Sequence, residues 1–377
     1  KELPARHKNL FFQRSESAFI KDVEEIKEDI PSLKDREIRY RLARIVASLG
    51  DAHTSLFIKM TVGIPFSLQW FEDGLFVMNT IKEYEDILYC KLVKINDHPI
   101  EKVTEVIKGV ISHENEAQIW KYIPYYLTLA DVLAAANIME NMEYGEFTFE
   151  NKRGTYFSRV IESMSDLSQF KPIVSGKSQE NLPRYQKLKN VFYDFEYFDE
   201  YDTLYFLYNS CRQIKDKPFK DFVAEMFDEI DKHQIKCLVI DLRNNGGGNS
   251  GIFAPFLHEL KKRPHLNQKD KLFVILGRST FSSAVLNAIQ LQNQTEATFV
   301  GEPTGGKPNH FGEVKQFILP NSKLIISYST KYFTSSKRDT DSFYPDVSIS
   351  LSLDDYLANK DPALEWILNR PEERRQD

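Results

Sequence analysis

The turn Arg278-Ser279-Thr280-Phe281-Ser282-Ser283-Ala284 stands between a strand-like apolar run, Leu272 to Leu276, and a helix-like run from Val285. Ser282 is thereby placed at the amino end of a helix, where unpaired N–H groups and the helix dipole favour negative charge on its oxygen. The next apolar run, Ala297 to Val300, feeds a second turn, Gly301-Glu302-Pro303-Thr304-Gly305-Gly306-Lys307. A strand, a helix and a parallel strand form a right-handed crossover, which opens both turns at the carboxyl edge of neighbouring strands. A serine and a lysine then meet. A lysine desolvated by apolar walls loses its proton and can act as general base to a hydroxyl. Each residue alone has a plainer account: an N-cap serine and a solvated surface lysine.

A third segment adds to the pair. Cys237-Leu238-Val239-Ile240-Asp241-Leu242 is a short apolar run of buried-strand type that ends in Arg243-Asn244-Asn245-Gly246-Gly247-Gly248-Asn249. The amides of Gly246, Gly247 and Gly248 can approach a substrate closely. With the amide of Ser283 they are the expected oxyanion hole of an acyl transfer, in which one donor contributes roughly 3 kcal/mol. A glycine turn after a strand can also be a plain bend or a phosphate cradle. No Walker pattern follows this one, and no strand-linked GxGxxG occurs.

The order LVIDLRNNGGG, TFSSA, GEPTGGK and then Tyr344-Pro345-Asp346-Val347 resembles the tail-specific or C-terminal processing serine peptidases, relatives of the tricorn protease core and of interphotoreceptor retinoid-binding protein. In the processing peptidases the nucleophile lies twenty-five positions before the catalytic lysine, and here 307 − 282 = 25. The resemblance therefore implies Ser282, rather than Ser279 or Ser283, as nucleophile and Lys307 as base. It covers roughly residues 200 to 370. A second base comes from Leu49-Gly50-Asp51-Ala52-His53-Thr54, which is similar to a segment of the tricorn branch whose histidine is the general base. Read locally, His53 is a helix-terminal histidine bonded to a backbone carbonyl. Tricorn orients its histidine through a serine and a glutamate, whereas this chain has Ala52 before His53 and only Asp339 or Asp341 ahead of Pro345.

The rest of the chain must position these groups. Phe19, Val23, Ile26 and Ile30 recur at helical spacing, Pro31 interrupts, and Ile38 to Leu49 resumes the pattern, so residues 1–62 read as a helical hairpin. Residues 63–112 hold short strand candidates, Ile64–Leu68, Gly74–Met78 and Lys91–Asn96, before a helical run from Ile100. The string LVKINDHPIEKV resembles the late part of the PDZ modules of processing peptidases, without an evident carboxylate-binding loop before Phe66. A structural β-subdomain is the competing account. Residues 113–190 read as a mixed connecting region, with a hairpin about Gly154 and a polar junction at Ser175–Arg184, and residues 191–377 as the catalytic core. The expected fold class is α/β, implied by the resemblance to be a Clp protease/crotonase-like core with an N-terminal helical segment and a diverged PDZ-like β-subdomain.

Composition bounds the function. The 377 residues suffice for a sizeable core, and a formal charge of −6 with mixed signs lacks the basic stripe that nucleic-acid binding requires. Cys90, Cys211 and Cys237 are widely spaced and match neither a zinc pattern nor a disulfide framework. No run reaches transmembrane length, and the start at Lys1 without a signal-type segment fits a chain whose leader or lipid anchor has been removed. We therefore expect a serine peptidase acting on protein or peptide substrates, without metal or cofactor, in an extracytoplasmic or cell-envelope setting; a cytoplasmic one is the alternative. The competing reading is a non-catalytic homologue that binds a hydrophobic ligand or a peptide on the same scaffold. Crotonase-type acyl chemistry, which uses paired amides without a nucleophilic serine, is a third. Oligomeric state is open.

Overall fold

The computed structural model describes residues 1–58, 61–166, 169–173 and 181–370. The chain divides into two compact units, one of Lys1–Lys177 with Phe311–Phe333 and one of Ser178–His310 with Thr334–Asp377. These units cut across the segments expected from the sequence. The strands around Phe311–Phe333 group with the first unit, although they follow the glycine loop, the serine turn and Lys307 in the chain. Most of the polar junction expected at 175–184 lies outside the described residues.

In the first unit, Ser15 caps the helix Glu16–Asp29 by accepting from the Ala18 amide, and the helix buries Phe19 and Ile26. Pro31 sits in the short 3₁₀ turn Ile30–Ser32, after which Asp35–Ala47 resumes the helical pattern. Gly50, at φ 75°, releases the chain into the Asp51–Thr54 turn. An antiparallel sheet runs Phe66–Phe71, Gly74–Thr80, Lys91–Ile95, Tyr144–Glu150 and Tyr156–Glu162 in that order. The strands of 63–112 and the hairpin about Gly154 therefore share one sheet. A three-stranded sheet places Ile325–Phe333 between Ser55–Leu56 and His310–Ile318. One core, from Leu3 to Tyr328, runs through the helices and both sheets.

The second unit is built on a six-stranded sheet in the order Val347–Ser348, Thr298–Gly301, Leu272–Leu276, Cys237–Asp241, Thr203–Tyr208, Tyr193–Phe198. The first five strands are parallel, and Tyr193–Phe198 runs antiparallel at the edge. Their near-continuous apolar sequences follow from burial on both faces. Leu204, Phe206, Leu238, Ile240 and Val274 join the core that contains residues of the helices Phe219–His233, Ala254–Lys261 and Ser283–Gln294. The alternate residues Tyr205, Leu207, Val239, Phe273 and Ile275 pack with Ala363 and Ile367 of the helix Pro362–Leu368. This alternation is the period-2 pleat expected of strands. The α/β fold class is thus observed directly.

A buried ionic network ties the chain end to the glycine loop. Arg243 binds Asp361 through both terminal guanidinium nitrogens at 2.8 Å and reaches Asp241 Oδ2 at 2.8 Å through Nε. Tyr205 donates to the same Asp241 carboxylate, and the Tyr185 ring lies 3.9 Å from the guanidinium. Desolvation opposes the charge on Arg243, but Asp241 and Asp361 outweigh it and raise the pKa well above the ordinary value. Removing the cation leaves two buried carboxylates without their partner, so Arg243→Met is expected to destabilise the protein by about 3–5 kcal/mol. Chemical denaturation of the variant beside the parent measures this, and a loss below about 1 kcal/mol contradicts the assignment.

Candidate active site

The strand Leu272–Leu276 ends at Gly277, and the turn that follows is held by its hydroxyls. Thr280 donates to the Leu242 carbonyl at 2.8 Å and accepts from the Gly277 amide at 3.1 Å. Ser283 is buried and donates to the Gly248 carbonyl at 2.7 Å, so its hydroxyl is spent on joining helix to glycine loop. Ser282 differs from both. It occupies the N-cap position of Ser283–Gln294 at φ 54° and ψ −123°, and its side chain caps no helix amide. A positive φ in a non-glycine residue costs of order 1–3 kcal/mol and persists only where the surroundings enforce it.

The enforcing contacts come from the glycine loop. A β-carbon on Gly247 would stand 2.9 Å from Ser282 Cβ and 2.9 Å from the Phe281 carbonyl oxygen, and Gly247 itself has φ 98°. Asn245 organises the approach. Its side-chain Nδ2 donates to the Tyr208 carbonyl at 2.8 Å, its Oδ1 accepts from the Gly247 amide at 2.9 Å, and its backbone carbonyl accepts from the Phe281 amide at 3.0 Å. The Gly247 N–H is therefore committed inside the loop. Gly248 takes φ 137° against the Cys211 carbonyl. Cys211 itself faces Asn245 Oδ1 at 3.6 Å and Asn287 Oδ1 at 3.3 Å, and burial pushes its thiol up to about 11. That thiol is a structural group, since the thiolate is the reactive form.

The loop carrying Lys307 runs beside the same turn. A β-carbon on Gly306 would lie 3.0 Å from the Phe281 ring and 3.2 Å from the Ser282 amide nitrogen. Arg278 bridges to Glu302 at 2.7 Å. Thr304 and Phe343 exchange hydrogen bonds of 3.1 and 2.9 Å, and Asn309 holds the backbone at Ser335 and Ser336. Asn309 and His310 are buried, although their polar sequence reads as a solvated run. The Lys307 side chain keeps 21 % exposure, and its ammonium pairs with Asp339 Oδ1 at 3.5 Å. Asp339, one of the two carboxylates ahead of Pro345, is thus a partner of the lysine.

His53 belongs to the first unit, where the turn after Gly50 surrounds a buried carboxylate. Asp51 Oδ1 accepts from the His53 amide at 2.9 Å, and Oδ2 accepts from Thr54 Oγ1 at 2.5 Å and faces His7 Nε2 at 2.9 Å. Burial pushes the Asp51 carboxyl up, but His7, Ser329, Thr54 and His53 together hold it below its ordinary value. The His53 ring is buried, with Nδ1 4.0 Å from Asp51 Oδ1. Ligand atoms of Asp51, His53 and Glu114 come within 4.8 Å of one another, a grouping able to admit a cation. Three donors already occupy Asp51, and we assign the carboxylate to hydrogen bonding.

Asn245, Asp51 and His7 escaped sequence reasoning. The only available signals were the polar residue before three glycines and the DxH spacing.

No family model matches this chain. Among solved structures, mature CPAF complexed with lactacystin covers 95 % of this chain and 91 % of its own, at 12 % identity and a TM-score of 0.63. A second structure of mature CPAF covers 92 % and 89 %, at 11 % identity and 0.61. The photosystem II D1 C-terminal processing protease covers 84 % and 82 %, at 12 % identity and 0.36. The chain has the fold of CPAF across nearly its whole length.

Two outcomes follow from the site geometry. Gly247→Ala places a methyl against Ser282 in a backbone region that alanine disfavours, and displacement of the hydroxyl is expected to slow labelling by a fluorophosphonate about 100-fold. Labelling at the parent rate contradicts the role given to that contact. For Asp51, a lowered folded pKa means stability that is complete above the unfolded value of 3.8 and lost as pH falls through the folded value. Asp51→Asn is therefore expected to be less stable than the parent at neutral pH and to lose less on acidification between about pH 5 and pH 2, read from thermal melts.

Proposed function

We propose that this chain is a serine peptidase that cleaves protein or peptide substrates through an acyl-enzyme on Ser282. The observation that carries the reading is the φ of 54° at Ser282, in an N-cap residue whose side chain caps nothing while its neighbours Thr280 and Ser283 are hydrogen-bonded away. A strained strand-to-helix turn that presents an uncapped hydroxyl is the arrangement that nucleophilic catalysis uses. The fold shared with CPAF and the processing-peptidase motif order support the same reading.

In the proposed reaction the Ser282 oxygen attacks the scissile carbonyl as a base takes its proton. The C–N bond then breaks with proton transfer to the leaving amine, and water hydrolyses the ester through the same steps. The oxyanion is received by the Ser283 amide, in the first turn of its helix, and by an amide of Gly246–Gly248 other than that of Gly247. Lys307 is our first choice of base because Gly306 lays its loop against the Ser282 turn. Its pairing with Asp339 gives His53 standing as the second, since an imidazole works near neutrality without a large shift.

Ser282→Ala is expected to abolish fluorophosphonate labelling and peptide hydrolysis while leaving the thermal melt unchanged. Labelling that persists in this variant, or that maps to Ser279, overturns the assignment, and a parent that is never labelled favours the binding-protein reading. Between the bases, Lys307→Ala is expected to slow acylation by about 10²–10⁴-fold. Near-normal acylation in Lys307→Ala together with a loss of that size in His53→Ala transfers the role to the histidine.

A further inference from the structure

The Asp51 carboxylate has a donor that lies 44 positions away in the chain and outside every catalytic motif. His7 is buried, with its Nδ1 accepting from the Asn9 amide at 3.0 Å. An imidazole nitrogen that accepts carries no proton, so the ring proton sits on Nε2, which faces Asp51 Oδ2 at 2.9 Å. His7 is thus held with its Nε2–H aimed at the carboxylate. The other oxygen of Asp51 takes the His53 amide, and the Thr54 hydroxyl completes the turn by accepting from the Ser329 amide at 3.2 Å.

Independent contacts present His7 to this spot. The short helix Glu2–Arg6 ends on it, Lys8 donates its amide to the Ser329 carbonyl at 3.1 Å, and the His7 ring lies 5.0 Å from that of Phe311. Gln13 packs so closely on Gly50 that a β-carbon there would meet its side-chain oxygen at 2.0 Å. Residues 7 to 13 therefore brace the turn that carries His53 from two sides.

We propose that His7 is a positioning residue for His53, acting through Asp51 to fix the backbone from which that imidazole projects. The inference rests on the reading of His53 as a group of the catalytic centre. It assigns to the chain's first turn a function in acyl chemistry rather than in packing alone.

Two substitutions separate the donor from the ring. His7→Phe keeps the aromatic contact with Phe311 and removes the N–H, whereas His7→Gln keeps an N–H at the Nε2 position and removes the ring. Amide hydrogen exchange at His53 and the rate of fluorophosphonate acylation are read for both in the full chain. His7→Phe is expected to speed exchange at His53 about tenfold and slow acylation about tenfold, and His7→Gln to hold both within about twofold of the parent. In a His53→Ala background, His7→Phe is expected to add no further loss of acylation.

Unchanged exchange in His7→Phe, or an equal loss of acylation with and without His53, overturns the proposal. A His7→Gln variant as impaired as His7→Phe assigns the effect to the ring and also overturns it. If the parent itself is never acylated yet His7→Phe still speeds exchange, the peptidase reading fails while His7 stands as the group that fixes the His53 turn.

Discussion

The backbone of Ser282 is the constraint on which the second unit turns. A residue with a β-carbon does not stay at φ 54° unless its neighbours remove the alternatives. Gly247 does so by occupying the space beside Ser282 Cβ, and it can lie there only because it has no side chain. Asn245 fixes Gly247, and the Phe281 amide closes the circuit by donating back to the Asn245 carbonyl. Two loops from adjacent parallel strands are thus locked together by main-chain geometry, and the strain is placed on Ser282, whose side chain caps no helix amide. Such strain is affordable because the sheet beneath is apolar on both faces and over-determines the strand ends.

Buried charge serves the same purpose at two places, and the magnitudes explain how it is tolerated. An isolated charge taken out of water loses several kcal/mol, so it survives only when donors or counter-charges surround it. Arg243 meets Asp241 and Asp361 at two edges of its guanidinium, with the Tyr185 ring on its face, and so fixes the start of the loop that carries Gly246–Gly248. Asp51 has three donors, each from a different group: an imidazole, a hydroxyl and a main-chain amide. In both networks the stabilisation is modest against the cost of leaving a member unpaired. Their value lies in admitting a single arrangement, which hydrophobic packing alone does not guarantee.

Much of the architecture was legible because its determinants are local. The helix Glu16–Asp29 and its stop at Pro31 follow from periodicity and a ring that cannot donate. The strands at 237–241 and 272–276 follow from apolar runs too short for helices. What stayed hidden is long-range. The Arg243–Asp361 pair spans 118 positions and His7–Asp51 spans 44, and nothing in either local sequence marks its partner. The grouping of Phe311–Phe333 with the first unit was hidden for the same reason, since a hairpin states that its strands pair and not what they pack on. Ser282 could be told from Ser283 by motif spacing, but only the Gly248 carbonyl shows what the second hydroxyl is for.

The two groups weighed as bases differ in what the fold does for them. Lys307 is placed by its loop: Gly306 needs the absence of a side chain to approach the turn, and Thr304 and Asn309 hold the loop's two ends. Its long stem carries the ammonium away from that anchored backbone, and it pairs with Asp339. His53 is placed by its backbone, since the amide that Asp51 holds is the one from which the ring grows. A short side chain on a fixed backbone is oriented at little entropic cost, whereas a lysine must lose several rotors to be equally well aimed. Pre-organisation therefore favours the imidazole and loop contact favours the amine. The imidazole of His7, the hydroxyl of Thr54 and the main-chain amide of His53 all meet on the one Asp51 carboxylate, so the backbone of this turn is fixed from three directions.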